Sequence, residues 1–438
     1  MTTTLVTATG QAESALLNLH KKFMSESRPA DALLPLNEAA LKRFELLKFP
    51  HRKHEMYTFV NTKDLVSTVF SLPLETPVAK EFIQSHIFPG CEASYLVVAD
   101  GVFRDDLSNY SAINSSINLV SIEEAVVQPE IKAYLADTIE KENDVFASIN
   151  TAFLGQGTMI DVPPKKRVAA PLQILHVSTG SVSGKVTSHP RILVRLGELA
   201  ELKMIVKYVG VQGNYFVNSV MDILVGEQAG VTYAQVQKDA NNSWHCSKTR
   251  VKQERNSRVN AVNAFFGNQL TRHHFEAHLK DVGAELKLNS VSVLNDHEQA
   301  HNFVRIHHEA PHGSSTQNFK NIVNGNSRSS VDGTVIVNQG AQQTYSDQLI
   351  NNLMLSDNAH ADTKPNLMIF ADDVKCTHGA TVGQLDEGQL FYLKTRGLSE
   401  QVAKQLLTKS FAESIVQTIE FSGVVDYLEN TLLKKLEA

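Results

Sequence analysis

Cys376 and His378 stand two residues apart in the run Val374-Lys-Cys-Thr-His378. On a β-strand, side chains alternate between faces, so both would point the same way, about 7 Å apart. A soft thiolate beside an imidazole suits zinc, iron or an iron–sulfur species better than magnesium or calcium. Two ligands do not close a tetrahedral site, however. A buried strand cysteine next to a partly exposed histidine accounts for the same residues.

A second concentration of chemistry lies upstream, where His273, His274, His278, His297, His301, His307, His308 and His312 crowd into 40 residues. In Thr271-Arg-His-His-Phe-Glu-Ala-His-Leu279, alternation places His274, Glu276 and His278 on one face of a strand. Two imidazoles and a carboxylate form one kind of metal face. The solvated polar side of a strand is the other reading. The order His-Phe-Glu-Ala-His is not the H-E-x-x-H of zinc proteases.

Several motifs are missing in an informative way. Gly180-Ser-Val-Ser-Gly184-Lys185-Val186 has one residue too few between its glycines for a P-loop, and valine where Ser or Thr is needed. Gly155-Gln-Gly157 lacks the third glycine of a dinucleotide fingerprint. There is no G-x-S-x-G elbow. Nothing here resembles a self-sufficient enzyme.

The elements that must position these residues change character along the chain. Leu16, Leu19 and Phe23, and then Ala40, Phe44 and Leu47, recur at helical spacing. A further helical pattern runs from Ile122 to Phe153, with Pro129 starting a fresh helix. From about Gly157 short alternating runs take over, such as Glu201–Tyr208 and Met221–Val225. Small-residue corners recur between them: GELAEL from Gly197, GEQAGV from Gly226 (29 residues on), then VGAEL, NQGAQQ and SDNAHAD. Such corners let a chain turn rung upon rung in a solenoid. An antiparallel sandwich gives similar strands and turns, and the pattern leaves both open. After Gly383 the helical period returns, with Ser399 as an N-cap and Leu406, Leu407 and Phe411 on one face.

Composition bounds the partners. The chain has 438 residues, 42% apolar and 20% charged, with a net charge of −6. That balance argues against a general nucleic-acid or anionic-membrane binder. No run of apolar residues is long enough to span a bilayer, and the first residues lack a secretory pattern, so a cytoplasmic protein is expected. Cys91, Cys246 and Cys376 are few and far apart, which argues against a disulfide framework or a closed structural zinc site.

Three strings near the Cys-x-His pair carry a resemblance: DTKP at Asp362–Pro365, ADDVKC-x-HGATVG at Ala371–Gly383 and FYLKTRG at Phe391–Gly397. A fourth, Pro50-His-Arg-Lys-His-Glu55-Met-Tyr57-Thr58, lies at the opposite end of the chain. Together they resemble the SufB/SufD family of SUF iron–sulfur cluster assembly proteins, most densely over Asn318–Ala412. The absence of an N-terminal C-x-x-C and the P-x-R-K-x-E-x-Y-T pattern look SufD-like rather than SufB-like. Thr377 stands where serine is commoner in the family, and Asn326–Ser330 departs from its usual small apolar character.

The resemblance implies a mainly β chain: a right-handed parallel β-helix (residues 156–384) between an N-terminal mainly helical domain (1–155) and a small C-terminal helical domain (385–438). It implies a non-catalytic scaffold that pairs with a SufB-like subunit and binds a SufC-like ABC ATPase. The alternative is a SufB-like subunit accepting sulfur on Cys376. His378, and next Cys376, would meet a transient iron–sulfur cluster at the subunit interface, with no cofactor stably bound. Phe391, Tyr392, Arg396, Gly397, Leu406 and Phe411 match the region that borders or contacts the ATPase. The isolated chain would self-pair or await its partners, with no role for nucleic acid or membrane.

Overall fold

The computed structural model describes residues 8–51, 54–74 and 76–437. Arg52 and Lys53 of the N-terminal motif lie outside them. The strands form two stacked sheets, and the chain passes alternately from one to the other. Apart from two antiparallel pairings at the N-terminal end, all of this ladder is parallel. That removes the antiparallel sandwich. In one sheet the partners run Glu201, Gly230, Arg258, Glu285, Ser314, Tyr345, Lys375, so a rung takes 27 to 31 residues. The 29-residue offset between the GELAEL and GEQAGV corners is one such rung.

The corners show why the small-residue pattern recurs. On successive rungs Leu199, Gln228, Asn256, Gly283, His312 and Gln343 take left-handed backbone conformations, with φ between 51° and 72°. Each donates its backbone N–H to a carbonyl on the next rung at 2.6–3.2 Å, which satisfies the turn without water. The residue that follows turns inward and must be small. Ala200, Ala229 and Ala284 fill this place and are fully buried. Gly226 meets the same crowding, because a Cβ there would lie 2.7 Å from the carbonyl oxygen of Leu196. Gly226→Ala is therefore expected to destabilise by about 1–3 kcal/mol. Gly340→Ala, at a corner with nothing within 4 Å, should stay within about 0.5 kcal/mol. Urea midpoints of the two variants check the difference.

The N-terminal segment covers the outer face of one sheet. Helices Ala8–Glu26, Leu34–Leu47, Pro129–Lys141 and Val145–Ala152 supply the apolar stripes, with Phe23, Ala40 and Phe44 buried. They close over Phe216, Trp244, Cys246 and Leu270 on the strands beneath. Pro129 does begin a new helix, separate from Ile122–Ala125. The same segment also adds strand Tyr95–Ala99 to the parallel stack, beside Leu172–Ser178.

At the other end, helices Glu387–Thr395, Glu400–Val416 and Ser422–Glu437 follow the last strand. Ser399 caps the second of them, accepting the N–H of Val402 at 3.3 Å. Ile415, Val424, Leu428 and Leu432 pack onto the outer face of the second sheet, against Val236, Val262 and Ile322. Among the described residues no helix is long and apolar enough to cross a membrane.

Candidate functional site

Strand Val374–Gly383 is the last of its sheet and is hydrogen-bonded on one side only, to Thr344–Met354. Register pairs Ser346 with Cys376 and Gln348 with His378. In-register partners share a face, and Ser346 and Gln348 are fully buried inside the solenoid. Cys376 and His378 therefore face the interior at a level where no further rung covers them. Cys376 packs partly against Val335, Val337 and Ala371, while His378 is exposed. Thr377 points to the other face, where its hydroxyl donates to Asp347.

The interior columns that end on this pair change chemistry along the solenoid. One runs Val231, Val259, Leu286, Ser315, Ser346, Cys376; its neighbour runs Tyr233, Ala261, Leu288, Gln317, Gln348, His378. Both pass from apolar to polar toward the open end. Ser315 and Ser346 hydroxyls lie 3.0 Å apart, His308 Nε2 lies 2.8 Å from Ser315, and Gln348 donates to Gln317 at 3.2 Å. Burial pushes the Cys376 thiol above its ordinary pKa, partly offset by a backbone hydrogen bond at Ser346, so the resting group is a thiol. The other two cysteines are buried: Cys91 has its pKa raised to about 12 by burial, and Cys246 has its raised further.

Two groups of uncovered apolar side chains lie in the C-terminal part of the chain. At the open end they are Met368, Ile369, Phe370 and Val382. On the C-terminal helices they are Phe391, Tyr392, Val402 and Leu406, with Phe391 70% exposed. The Arg396 guanidinium lies 5.1 Å over the Tyr392 ring and donates to its hydroxyl at 3.2 Å. Gly397 ends that helix with φ 92°. Phe411 sits apart from this group: it is half-buried, turned toward the solenoid, with Lys320 Nζ 4.6 Å from its ring.

The structure divides the His274, Glu276 and His278 face of the histidine-rich strand. His274 is buried, its Nδ1 2.8 Å from Asp144, while Glu276 and His278 stay partly open. The cover is the N-terminal segment, which brings Glu142 and Asp144 onto a sheet bearing Arg191, Asp222, Lys248, Arg250, Arg272 and Glu276. Ion pairs join them: Arg272–Asp144 at 2.6 Å, Arg191–Asp222 at 2.6 Å, Arg250–Asp222 at 2.8 Å, Lys248–Glu142 at 2.7 Å and Lys248–Glu276 at 2.7 Å. Arg250 also pairs with Glu142. Four carboxylates thus neutralise four cations. Burial opposes ionisation of Asp144, yet Arg272 and His274 hold its carboxyl well below the usual range.

This network explains the N-terminal motif. Tyr57 donates to Asp144 at 2.9 Å and lies 4.3 Å under the Arg272 guanidinium. Glu55 pairs with Lys364 of DTKP at 3.0 Å, so motifs from opposite ends of the chain meet in space. Sequence reasoning missed the buried ions. Their only local signal is the density of charge in Lys248-Thr-Arg250 within a strand, and their partners lie about a hundred residues away.

The open rung, the uncovered helix face and the two joined motifs can be compared with known proteins. A family profile described as the SufBD core domain of SUF system FeS cluster assembly matches residues 177–411, and the SufBD N-terminal region matches residues 11–174. An iron–sulfur cluster assembly SufBD family protein of Synechocystis is 27% identical over 427 residues, covering 94% of this chain and 93% of its own. The iron–sulfur cluster assembly protein SufD of Escherichia coli is 27% identical over 417 residues, covering 94% and 95%. The chloroplastic protein ABCI7 of Arabidopsis thaliana is 34% identical over 298 residues, covering 66% and 62%. With its core profile matched over more than half of its length, on a parallel solenoid whose last rung carries Cys376 and His378, the chain belongs to the SufBD family of iron–sulfur cluster assembly proteins.

Proposed function

We propose that this protein is a SufD-like scaffold subunit of SUF iron–sulfur cluster assembly, without catalytic chemistry of its own. It pairs through its open last rung with a SufB-like subunit. It carries a SufC-like ABC ATPase on the C-terminal helices, where Phe391, Tyr392, Arg396 and Leu406 are exposed. The observation that carries the reading is the inward-facing imidazole and thiol left uncovered on the final strand. A companion chain stacking there would bury His378 beside its own side chains and extend a ladder that otherwise ends on unpaired strands. The nascent cluster is cargo at that junction, met by the His378 imidazole first and Cys376 second. Composition favours the cytoplasm as the compartment.

Nucleotide hydrolysis belongs to the ATPase partner. Its closure would pull on helices Glu387–Thr395 and Glu400–Val416, which follow directly on the last strand. That motion would open or close the subunit junction.

Co-expression with SufB-like and SufC-like partners tests the reading. A stable three-component assembly is expected, and failure of the chain to enter one would end the proposal. Within the assembly, His378→Ala is expected to lower bound iron and sulfide at least about tenfold, with Cys376→Ser milder. The reverse order, with the thiol indispensable and the imidazole spared, would favour a sulfur-accepting, SufB-like role. A protonated resting thiol speaks against that role.

A further inference from the structure

The histidine-rich strand carries a second constellation that the cluster-assembly reading does not use. His278 on strand Leu270–Leu279 and His307 on the adjacent strand Gln299–His308 are direct register partners. Their rings stack with centroids 4.4 Å apart and planes 7° from parallel. Glu276 precedes His278 by two residues on the same face, with Oε1 3.2 Å from His278 Nε2. One donor atom from each of the three residues lies within 4.8 Å of the others. His274, which alternation would add to this face, is instead committed to Asp144.

The surroundings orient these donors. His278 Nδ1 lies 2.7 Å from Glu309 Oε1, so the other nitrogen, Nε2, is the one left facing Glu276. A carboxylate behind a ligating histidine is the usual outer support of a metal site. Lys280 fixes Glu309 at 2.5 Å. Lys248 takes Glu276 Oε2 at 2.7 Å and leaves Oε1 for the imidazole side. Among the described residues, His307 has a ring contact but no hydrogen bond to either nitrogen. Glu276 and His278 line a cavity of about 410 Å³ under helix Pro129–Lys141, which gives an ion a way in.

We propose that Glu276, His278 and His307 form a binding site for a first-row divalent transition metal, supported by Glu309. Two imidazoles and one carboxylate suit iron(II), cobalt(II) or zinc(II) and reject calcium and magnesium, which prefer all-oxygen sets. Metal–ligand bonds near 2.0–2.2 Å require the three donors to close by roughly 1–2 Å. Rotation of the Glu276 carboxylate, with a small movement of the stacked rings, supplies that. Three protein donors leave the remaining positions to water. The site lies on the outer face of the sheet that does not contain Cys376, so it stands independently of the last rung.

Cobalt(II) alone is the probe. Added to the full chain, it should give visible d–d absorption at about one equivalent, and X-ray absorption at the cobalt edge should show imidazole scattering without sulfur. The signal should persist in the Cys376→Ser/His378→Ala double variant. Affinity should fall at least about tenfold in His278→Ala and in His307→Ala, and within about 10–100-fold in Glu309→Gln. Far-UV circular dichroism and urea midpoints confirm that each variant is folded. The wild-type absorption-edge spectrum carries the test if one is not. Sulfur in the first shell, a signal indifferent to both histidines, or no absorption at millimolar cobalt(II) would each overturn the proposal.

Discussion

Lowering the pH from 7.5 to 5.5 is expected to remove most of the folding stability of this protein. Burial depresses the pKa of seven histidines strongly, His176, His189, His273 and His301 to about 3 and His274, His307 and His308 to about 4, and lowers His20, His54 and His86 less. Each of the seven stays neutral in the folded chain, while the unfolded chain takes up a proton near pH 6.5. Unfolding therefore binds protons throughout the window from about 6.5 down to the folded values, and stability falls as pH falls. One unit below the unfolded pKa, each group contributes about 1.4 kcal/mol, or roughly 10 kcal/mol for seven. That matches the whole stability of a typical domain, about 5–15 kcal/mol.

His278 works in the opposite sense. Burial lowers its pKa, but bonds to Glu276 and Glu309 outweigh this and raise it. Its contribution is full below about pH 6.5 and disappears as pH rises through the folded value. One group cannot offset seven. Nearer pH 4 the buried carboxylates add to the loss, since Asp144 ionises in the folded state well below its unfolded pKa. Urea unfolding at pH 7.5, 6.5 and 5.5 should show midpoints that drop steeply. Equal midpoints across that range would mean the histidines are not buried as described.

Asp144→Ala is expected to cost about 3–5 kcal/mol, the usual consequence of leaving a buried charge without its partner. Asp144 Oδ2 meets Arg272 Nη1 at 2.6 Å and His274 Nδ1 at 2.8 Å, while Oδ1 accepts from Tyr57 and from the N–H of Phe146. Arg272 is fully buried, and among the described residues Asp144 is the one carboxylate it pairs with. Asp144 also caps helix Val145–Ala152, so part of the loss falls on that helix. Adding Arg272→Met to the alanine variant should recover part of the loss, because removing both charges is far cheaper than removing one. Chemical unfolding of the two single variants and the double variant closes the cycle. A double variant as unstable as the sum of the singles would show that the two side chains act separately.

Local periodicity made much of this architecture legible. The 29-residue corner offset reflects a chain that must repeat its turn each time it returns to the same level. Alternation placed Cys376 and His378 on one face of a terminal strand, and Ser399 marked a helix start because its hydroxyl accepts a backbone N–H that the first turn leaves without a carbonyl partner. The motif strings supplied the family. The choice between solenoid and sandwich came from those strings rather than from the strand pattern. Strand direction leaves no mark in a run of alternating residues.

What the tertiary structure alone decided concerns what covers each face. Alternation reports which residues share a side and is silent on whether that side meets water, an interior or another segment. His274 could be read as part of a solvated polar face because charge is rarely buried. Asp144 and Glu142, in the short link between two helices distant in sequence, supply the compensating charge and make burial tolerable. His307 reaches His278 only because one rung of this length brings position 307 directly beside position 278. Composition and spacing fixed the rung. The superposition of rungs, and the helices laid over them, fixed which groups meet, because those contacts join residues that no local pattern connects.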